Sequence, residues 1–297
     1  MKNLIVILGP TGIGKTDLSI EIAKNFNTEI ISSDSRQIYK ELKIGTAPPS
    51  KEQLNAVKHH FIANKSIHDY FNASMYEFDV IDLLSELFKE KDFVLLVGGS
   101  GMYIDAVCYG IDELPTIDDE IRSNLLKQYE TEGIASLRFT LKRLDPKHYK
   151  TVDLNNHKRI LKALEVSIQT GKPYSSFLTN KKKKRNFNII KIGLNKDRDE
   201  LHETINNRVD KMIEQGLINE AKSFYKSKGV NALKTVGYKE LFDYFAGEID
   251  LQTAIELIKR NTRRYARRQL TWFRKYEKIE WFEPSERNKI IEYIFTM

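Results

Sequence analysis

Cysteine is nearly absent: Cys108 stands alone among 297 residues. A single thiol excludes an internal disulfide and a multi-cysteine zinc site, and it suits a reducing cytosol. No apolar run approaches the ~20 residues needed to span a bilayer. The first residues lack the charged, apolar and cleavage-site succession of a signal peptide. A cytoplasmic protein without a membrane segment is the expectation. No internal repeat is visible. The bulk composition is ordinary, 41 % hydrophobic and 30 % charged, with 48 Lys+Arg against 41 Asp+Glu for a net +7. That excess is mild, so its distribution is more informative than its size. The length admits a large α/β core or two domains.

The chain is organised around residues 4–16. Leu4 to Leu8 is an apolar run that reads as a short buried strand. Gly9-Pro10-Thr11-Gly12-Ile13-Gly14-Lys15-Thr16 follows, with the spacing of a phosphate-binding P-loop. Asp17 to Asn25 then reads as a helix, which completes the strand–loop–helix context. Glycines let the backbone wrap an anion, the freed N–H groups point inward, and the helix adds its positive end. Lys15 supplies a mobile cation, and the Thr16 hydroxyl can hold Mg²⁺. The loop specifies a bound polyphosphate and leaves its chemistry open.

Glu29 to Ser33 reads as a second strand whose tip is Ser33-Asp34-Ser35-Arg36-Gln37. In an open parallel sheet that tip lies at the carboxyl edge, beside the P-loop. Residues 40–72 read as loop-rich. Ala73 to Lys89 reads as an amphipathic helix and Phe93 to Val97 as a third strand, running into Gly98-Gly99-Ser100-Gly101. Residues 116–185 read as an all-helical insertion, capped at Asp118 or Asp119 and closed by the basic run Lys181 to Arg185. Residues 1–115 and 186–297 form the α/β core around it. In that core Phe187 to Leu194 returns to strand, 199–228 are helical, Leu251 to about Tyr276 is a long basic helix, and Glu280 to Phe282 is a last strand.

Asp34 is the first candidate for chemistry. A carboxylate at that tip can bind Mg²⁺, hold an acceptor hydroxyl, or take a proton as general base; it can also simply cap a turn. The third strand lacks the terminal acid with which ATPases and GTPases help to hold Mg²⁺, which disfavours motor-type hydrolysis. His59-His60 lacks further ligands, so a loop histidine with a structural hydrogen bond outweighs a metal site. The late helix has few acids before Glu277, while Lys259, Arg260, Arg263, Arg264, Arg267, Arg268, Arg274 and Lys275 crowd it. Like charges at helical spacing repel, so an anionic partner explains the pattern: nucleic-acid phosphates, or the pyrophosphate of a small substrate.

Together these stretches resemble the tRNA isopentenyltransferase family of bacterial type. The matching residues are the P-loop, Ser33-Asp34-Ser35-Arg36-Gln37-Ile38-Tyr39, Gly45-Thr46-Ala47-Pro48, His59-His60 and Gly98-Gly99-Ser100-Gly101-Met102-Tyr103. They continue through Asn156-His157-Lys158-Arg159-Ile160, Arg208-Val209-Asp210-Lys211-Met212, Gly237-Tyr238-Lys239-Glu240-Leu241 and Thr262 to Arg274. The resemblance spans nearly the whole chain in unbroken order. Ser100 and Met102 depart mildly from the family pattern, and Thr204 stands where the family often has arginine.

The resemblance implies a P-loop, kinase-like parallel sheet flanked by helices, with an inserted helical domain that grips the anticodon stem. It implies a monomer that transfers a dimethylallyl group from dimethylallyl diphosphate to N6 of the adenosine 3′ to the anticodon in tRNA, releasing diphosphate, with Mg²⁺ as cofactor. The loop from Gly9 to Thr16 (Gly9, Pro10, Thr11, Gly12, Ile13, Gly14, Lys15, Thr16) would then hold the donor's diphosphate, with Arg208 as a second cation and Thr16 on the metal. Asp34 would accept the amine proton. Asp34, Ser35, Arg36, Gln37, Ser100, Arg122, His157, Lys158, Arg159, Arg263 and Arg267 would face the tRNA. The residues alone also permit a small-molecule kinase, prenyl transfer to free adenine nucleotides, and a nucleic-acid-binding NTPase or adaptor.

Overall fold

Asn3–Leu8 forms β1, buried along its whole length. A computed structural model describes residues 2–179 and 181–297. After β1 come α1 (Lys15–Asn25), β2 (Ile30–Ser32), α2 (Lys51–Ala56), β3 (His59–His60), α3 (Ala73–Glu90), β4 (Phe93–Gly98) and α4 (Gly101–Tyr109). The helical segment holds α5 (Asp119–Leu144), α6 (Pro146–Tyr149) and α7 (His157–Thr170). The chain then runs through β5 (Asn188–Leu194), α8 (Arg198–Glu214), α9 (Leu217–Ser223), α10 (Tyr238–Phe245), α11 (Leu251–Phe273), β6 (Glu280–Phe282) and α12 (Arg287–Thr296).

Among the described residues one six-stranded sheet forms, in the order β3-β2-β4-β1-β5-β6. Every pairing is parallel. Helices cover both faces of such a sheet, so its central strands bury all their side chains, and this is why Leu4 to Leu8 and Val94 to Val97 are unbroken apolar runs. Leu8 pairs with Gly98 on one side and Gly193 on the other. Ser32 pairs with Val97. The ends of β1, β2 and β4 therefore share one carboxyl edge, as the P-loop kinase-like reading requires.

The chain divides into two compact units, Met1–Tyr109 with Lys184–Met297, and Gly110–Lys183. The second is helical, with a core of Leu125, Leu137, Leu141, Ile160, Leu161, Ala163 and Leu164. Asp118 caps α5 by accepting the Glu120 N–H at 2.9 Å. Asp145, buried, accepts the His148 N–H at 2.9 Å and the Ser175 N–H at 2.6 Å. In the first unit Arg185 ties the returning chain to the end of α4. Its Nε donates to Val107 O at 2.8 Å, and its Nη2 donates to Ala106 O and to Glu77 Oε1, each at 2.7 Å.

Two details depart from the sequence reading. Residues 40–72 contain α2 and β3, where loop was expected. Ser50 and Gln53 form a reciprocal capping box that starts α2, while a two-residue strand is too short to show periodicity. His59 and His60 thus sit on an edge strand of the sheet. The terminal α12 was not anticipated; it buries Ile290 and Ile294, one turn apart. No helix among the described residues is long and apolar enough to cross a membrane.

Candidate active site

The loop after β1 is built by left-handed backbone. Gly12 and Gly14 have φ of 85° and 94°, which glycine adopts without the Cβ clash other residues meet. A Cβ on Gly14 would meet nothing within 4 Å, so this glycine is needed for conformation and not for room. Lys15 curls back over the loop, its Nζ donating to Gly9 O at 3.0 Å and Pro10 O at 2.9 Å. Those carbonyls are the part of Gly9 and Pro10 that serves the site; the cavity wall runs from Thr11 to Asp17. Ile13 sends its side chain into the core. Burial, and secondarily the Arg208 guanidinium, pull the Lys15 ammonium down to about 7, with Asp34 opposing. Arg208, from α8, donates from Nη1 to Thr11 Oγ1 at 3.3 Å. Its own value is lowered by burial. Two basic side chains brought together at one cavity wall, each disfavoured as a cation by burial, make a site that an anion would stabilise.

Asp34 lies at the tip of β2. Its Oδ1 accepts the N–H groups of Arg36 at 2.8 Å and Gln37 at 3.2 Å. This fixes the carboxylate through one oxygen. Ser100 Oγ accepts the Ser35 N–H at 2.9 Å and donates to Ser35 Oγ at 3.2 Å. Arg36 reaches Asn231 O at 3.1 Å. Gln37 Nε2 donates to Thr46 O at 3.1 Å and Ala47 O at 2.9 Å. A cavity of about 270 Å³ joins the loop, Asp34, Gln37 and Arg208. Ser35, Arg36 and Ser100 are not on its wall.

The sequence reading assigned no site role to two polar wall residues from the late helix. Tyr265 and Gln269, one turn apart on α11, both face the cavity. Burial, then the nearby Asp34 charge, push the Tyr265 hydroxyl up to about 12, with hydrogen bonding to Ser100 opposing. Gln269 is buried and holds Thr11 N and Gly99 O. Their signal was present as i, i+4 spacing, but the arginines between them dominated the pattern.

The remaining candidates lie elsewhere. Arg263 donates from Nη1 to Asn206 Oδ1 at 2.5 Å, joining α11 to α8. Arg264, Arg267 and Arg268 are exposed. In the helical unit Arg122 ion-pairs with Glu165 at 3.0 Å. His157 stacks on Tyr129, ring centroids 4.8 Å apart, and Lys158 and Arg159 are exposed beside it. His60 Nε2 bonds Glu29 Oε2 at 2.6 Å and His59 Nδ1 donates to Val57 O at 2.8 Å. No group of three His, Cys, Asp or Glu able to hold a metal occurs among the described residues.

A P-loop on the central strand of a parallel sheet, facing a carboxylate at the tip of a nearby strand, defines a P-loop transferase architecture. Residues 37–276 match the family described as IPP transferase, and the chain belongs to that family. It is 54% identical to tRNA dimethylallyltransferase 2 of Parabacteroides distasonis, across 99% of this chain and 98% of that protein. To tRNA dimethylallyltransferase 1 of Bacteroides fragilis it is also 54% identical, across 99% and 97%. Among solved structures it resembles the tRNA isopentenylpyrophosphate transferase of Bacillus halodurans, with a TM-score of 0.72, 35% identity, and 100% and 96% of the two chains covered. It also resembles a eukaryotic dimethylallyltransferase acting on tRNA, with a TM-score of 0.81, 25% identity and coverage of 100% and 80%.

Proposed function

We propose that the protein transfers a dimethylallyl group from dimethylallyl diphosphate to N6 of the adenosine 3′ to the anticodon in tRNA, releasing diphosphate. The observation that carries this is the joining of an anion cradle and a fixed carboxylate in one cavity, in a chain so similar to tRNA dimethylallyltransferases.

The adenine amine is a weak nucleophile because its lone pair is shared with the ring. As N6 bonds to C1 of the donor, the C1–O bond breaks and its electrons leave on diphosphate. Asp34 Oδ2 takes the N6 proton; such general-base help is worth ~10²–10⁴-fold. Negative charge grows where the loop N–H groups, Lys15 and Arg208 converge, so the site favours the transition state over the ground state. Thr16, in the first turn of α1 and on the cavity wall, fits Mg²⁺. Mg²⁺ relies heavily on substrate phosphate oxygens and water, and the Thr16 hydroxyl would be the loop's own contribution to holding it. Mg²⁺ held there would neutralise part of the leaving charge.

The adenosine must leave its stack to reach this cavity, at a cost of a few kcal/mol. Arg264, Arg267 and Arg268 on α11 offset it through phosphate contacts, and the helical unit, with Lys158 and Arg159 exposed, grips the anticodon stem as a single protein chain. The test is incubation with unmodified anticodon stem-loop RNA, Mg²⁺ and either dimethylallyl diphosphate or ATP. One prenyl unit gained on adenosine is the expected product. Phosphate gain, or unchanged RNA, rejects the proposal.

A further inference from the structure

The cavity wall opposite the P-loop is formed by Thr46, Ala47, Pro48 and Pro49. This loop has no regular structure to hold it, and Ala47 sits at φ 46°, a conformation that L residues adopt only when their surroundings impose it. Gln37 holds Thr46 O and Ala47 O from the cavity side, and one side chain from outside the cavity anchors the residues that lead into them. Glu220, on α9, accepts three successive backbone N–H groups: Lys43 at 2.9 Å, Ile44 at 2.9 Å and Gly45 at 2.9 Å. It also accepts the Tyr238 hydroxyl at 2.6 Å. Three convergent amides form an anion-binding nest, and here the chain supplies its own anion. Tyr238 is fully buried, and its ring lies so close to Gly45 that a Cβ there would fall 2.6 Å from it.

The clamp reaches the candidate catalytic group through an unbroken path. The fixed loop presents Thr46 O and Ala47 O, and these take both hydrogens of the Gln37 amide. Gln37 N in turn donates to Asp34 Oδ1. Resting on the transferase reading above, we infer that Glu220 is a positioning residue that sets the donor-cavity wall and, through Gln37, the orientation of Asp34. Glu220 spends its two oxygens on the 43–45 amides and the Tyr238 hydroxyl. It acts from α9, and it is absent from the cavity wall.

The charge and the two oxygens both matter. Glu220→Gln keeps the size but turns one oxygen into an N–H donor facing backbone donors. Glu220→Asp keeps the carboxylate on a shorter stem. With RNA and dimethylallyl diphosphate, Glu220→Gln should lower kcat by about 10–100-fold, the scale of a misplaced catalytic group, and raise the donor KM. Glu220→Asp should recover most of the loss. Hydrogen exchange of the Lys43, Ile44 and Gly45 amides should be slow in the wild type and fast in Glu220→Gln, at a melting temperature that leaves both folded.

Wild-type kcat and KM in folded Glu220→Gln would overturn the inference. So would losses that merely track the unfolded fraction and are the same for Asp and Gln. A wild type that prenylates no RNA rejects the transferase reading itself. In that case, exchange at 43–45 and binding of inorganic pyrophosphate still decide the clamp, and equal values in wild type and Glu220→Gln reject it.

Discussion

Gln269 Oε1 accepts the Thr11 N–H at 2.9 Å while Gln269 Nε2 donates to Gly99 O at 2.9 Å. One buried amide on α11 thus spans the P-loop and the end of β4. The junction is tight: a Cβ on Gly99 would lie 2.1 Å from Gln269 Nε2. Gln269→Leu removes both bonds and leaves the buried Gly99 carbonyl without its partner, worth ~1–3 kcal/mol, and frees the part-buried Thr11 N–H at the cavity wall. The expected result is reduced stability in denaturant titration, together with weaker binding of inorganic pyrophosphate by calorimetry. A variant matching wild type in both would show that the loop holds its shape unaided.

Lys15 makes donor binding pH-dependent. In the free protein burial and Arg208 bring it from 10.5 to about 7, so above neutrality the ammonium is largely discharged. A bound diphosphate restores the charge and takes up a proton. Pyrophosphate affinity should therefore fall as pH rises above 7, by up to about tenfold per unit. Calorimetry in buffers of different ionisation enthalpy should register the uptake. For stability the sign is the reverse of an ordinary ion-paired lysine. The unfolded chain holds this proton up to 10.5, so the contribution of Lys15 to stability rises with pH between the two values. Lys15→Met should flatten the binding profile; a slope that survives in Lys15→Met assigns it to another group.

Asp34→Asn separates the proton acceptor from the turn. The amide oxygen can still accept the Arg36 and Gln37 N–H groups, so the β2 tip should keep its shape. Turnover should drop ~10²–10⁴-fold while RNA and pyrophosphate still bind. Unchanged turnover would reduce Asp34 to a cap.

Arg263 and Arg267 lie one turn apart on α11 yet have different surroundings. Arg267 is exposed, whereas Arg263 reaches Asn206 on α8. Arg267→Ala should weaken RNA binding and reduce the slope of log affinity against log salt by about one. Arg263→Ala should leave that slope nearer the wild-type value and cost stability. Equal slopes for the two variants would contradict the distinction.

The P-loop was legible because its chemistry is local: spacing, strand and helix all fall within one short segment. The parallel sheet was legible because strands covered on both faces are written as unbroken apolar runs. Asp34 could be placed at the carboxyl edge by topology alone. Gln269 could not be placed, because its two partners are 258 and 170 residues away in sequence and nothing nearby marks a bridging amide. The loop at 43–49 reads as turn chemistry until Glu220, from another helix, is seen to hold it. Charge patterning grouped Arg263 with its exposed neighbours, since a tertiary partner such as Asn206 leaves no periodic trace.

Arg185 has a bearing on how the helical unit is carried. It binds the Ala106 and Val107 carbonyls, so the chain leaves the sheet domain and comes back to it at one spot, with Glu77 beside it. A segment suspended from two neighbouring points imposes no span on its host. Its length can drift, and it can be shortened to a few linking residues without pulling on β4 or β5. The sheet domain is thus built so that the helical unit can be remodelled while the strands and the cavity beside them stay as they are.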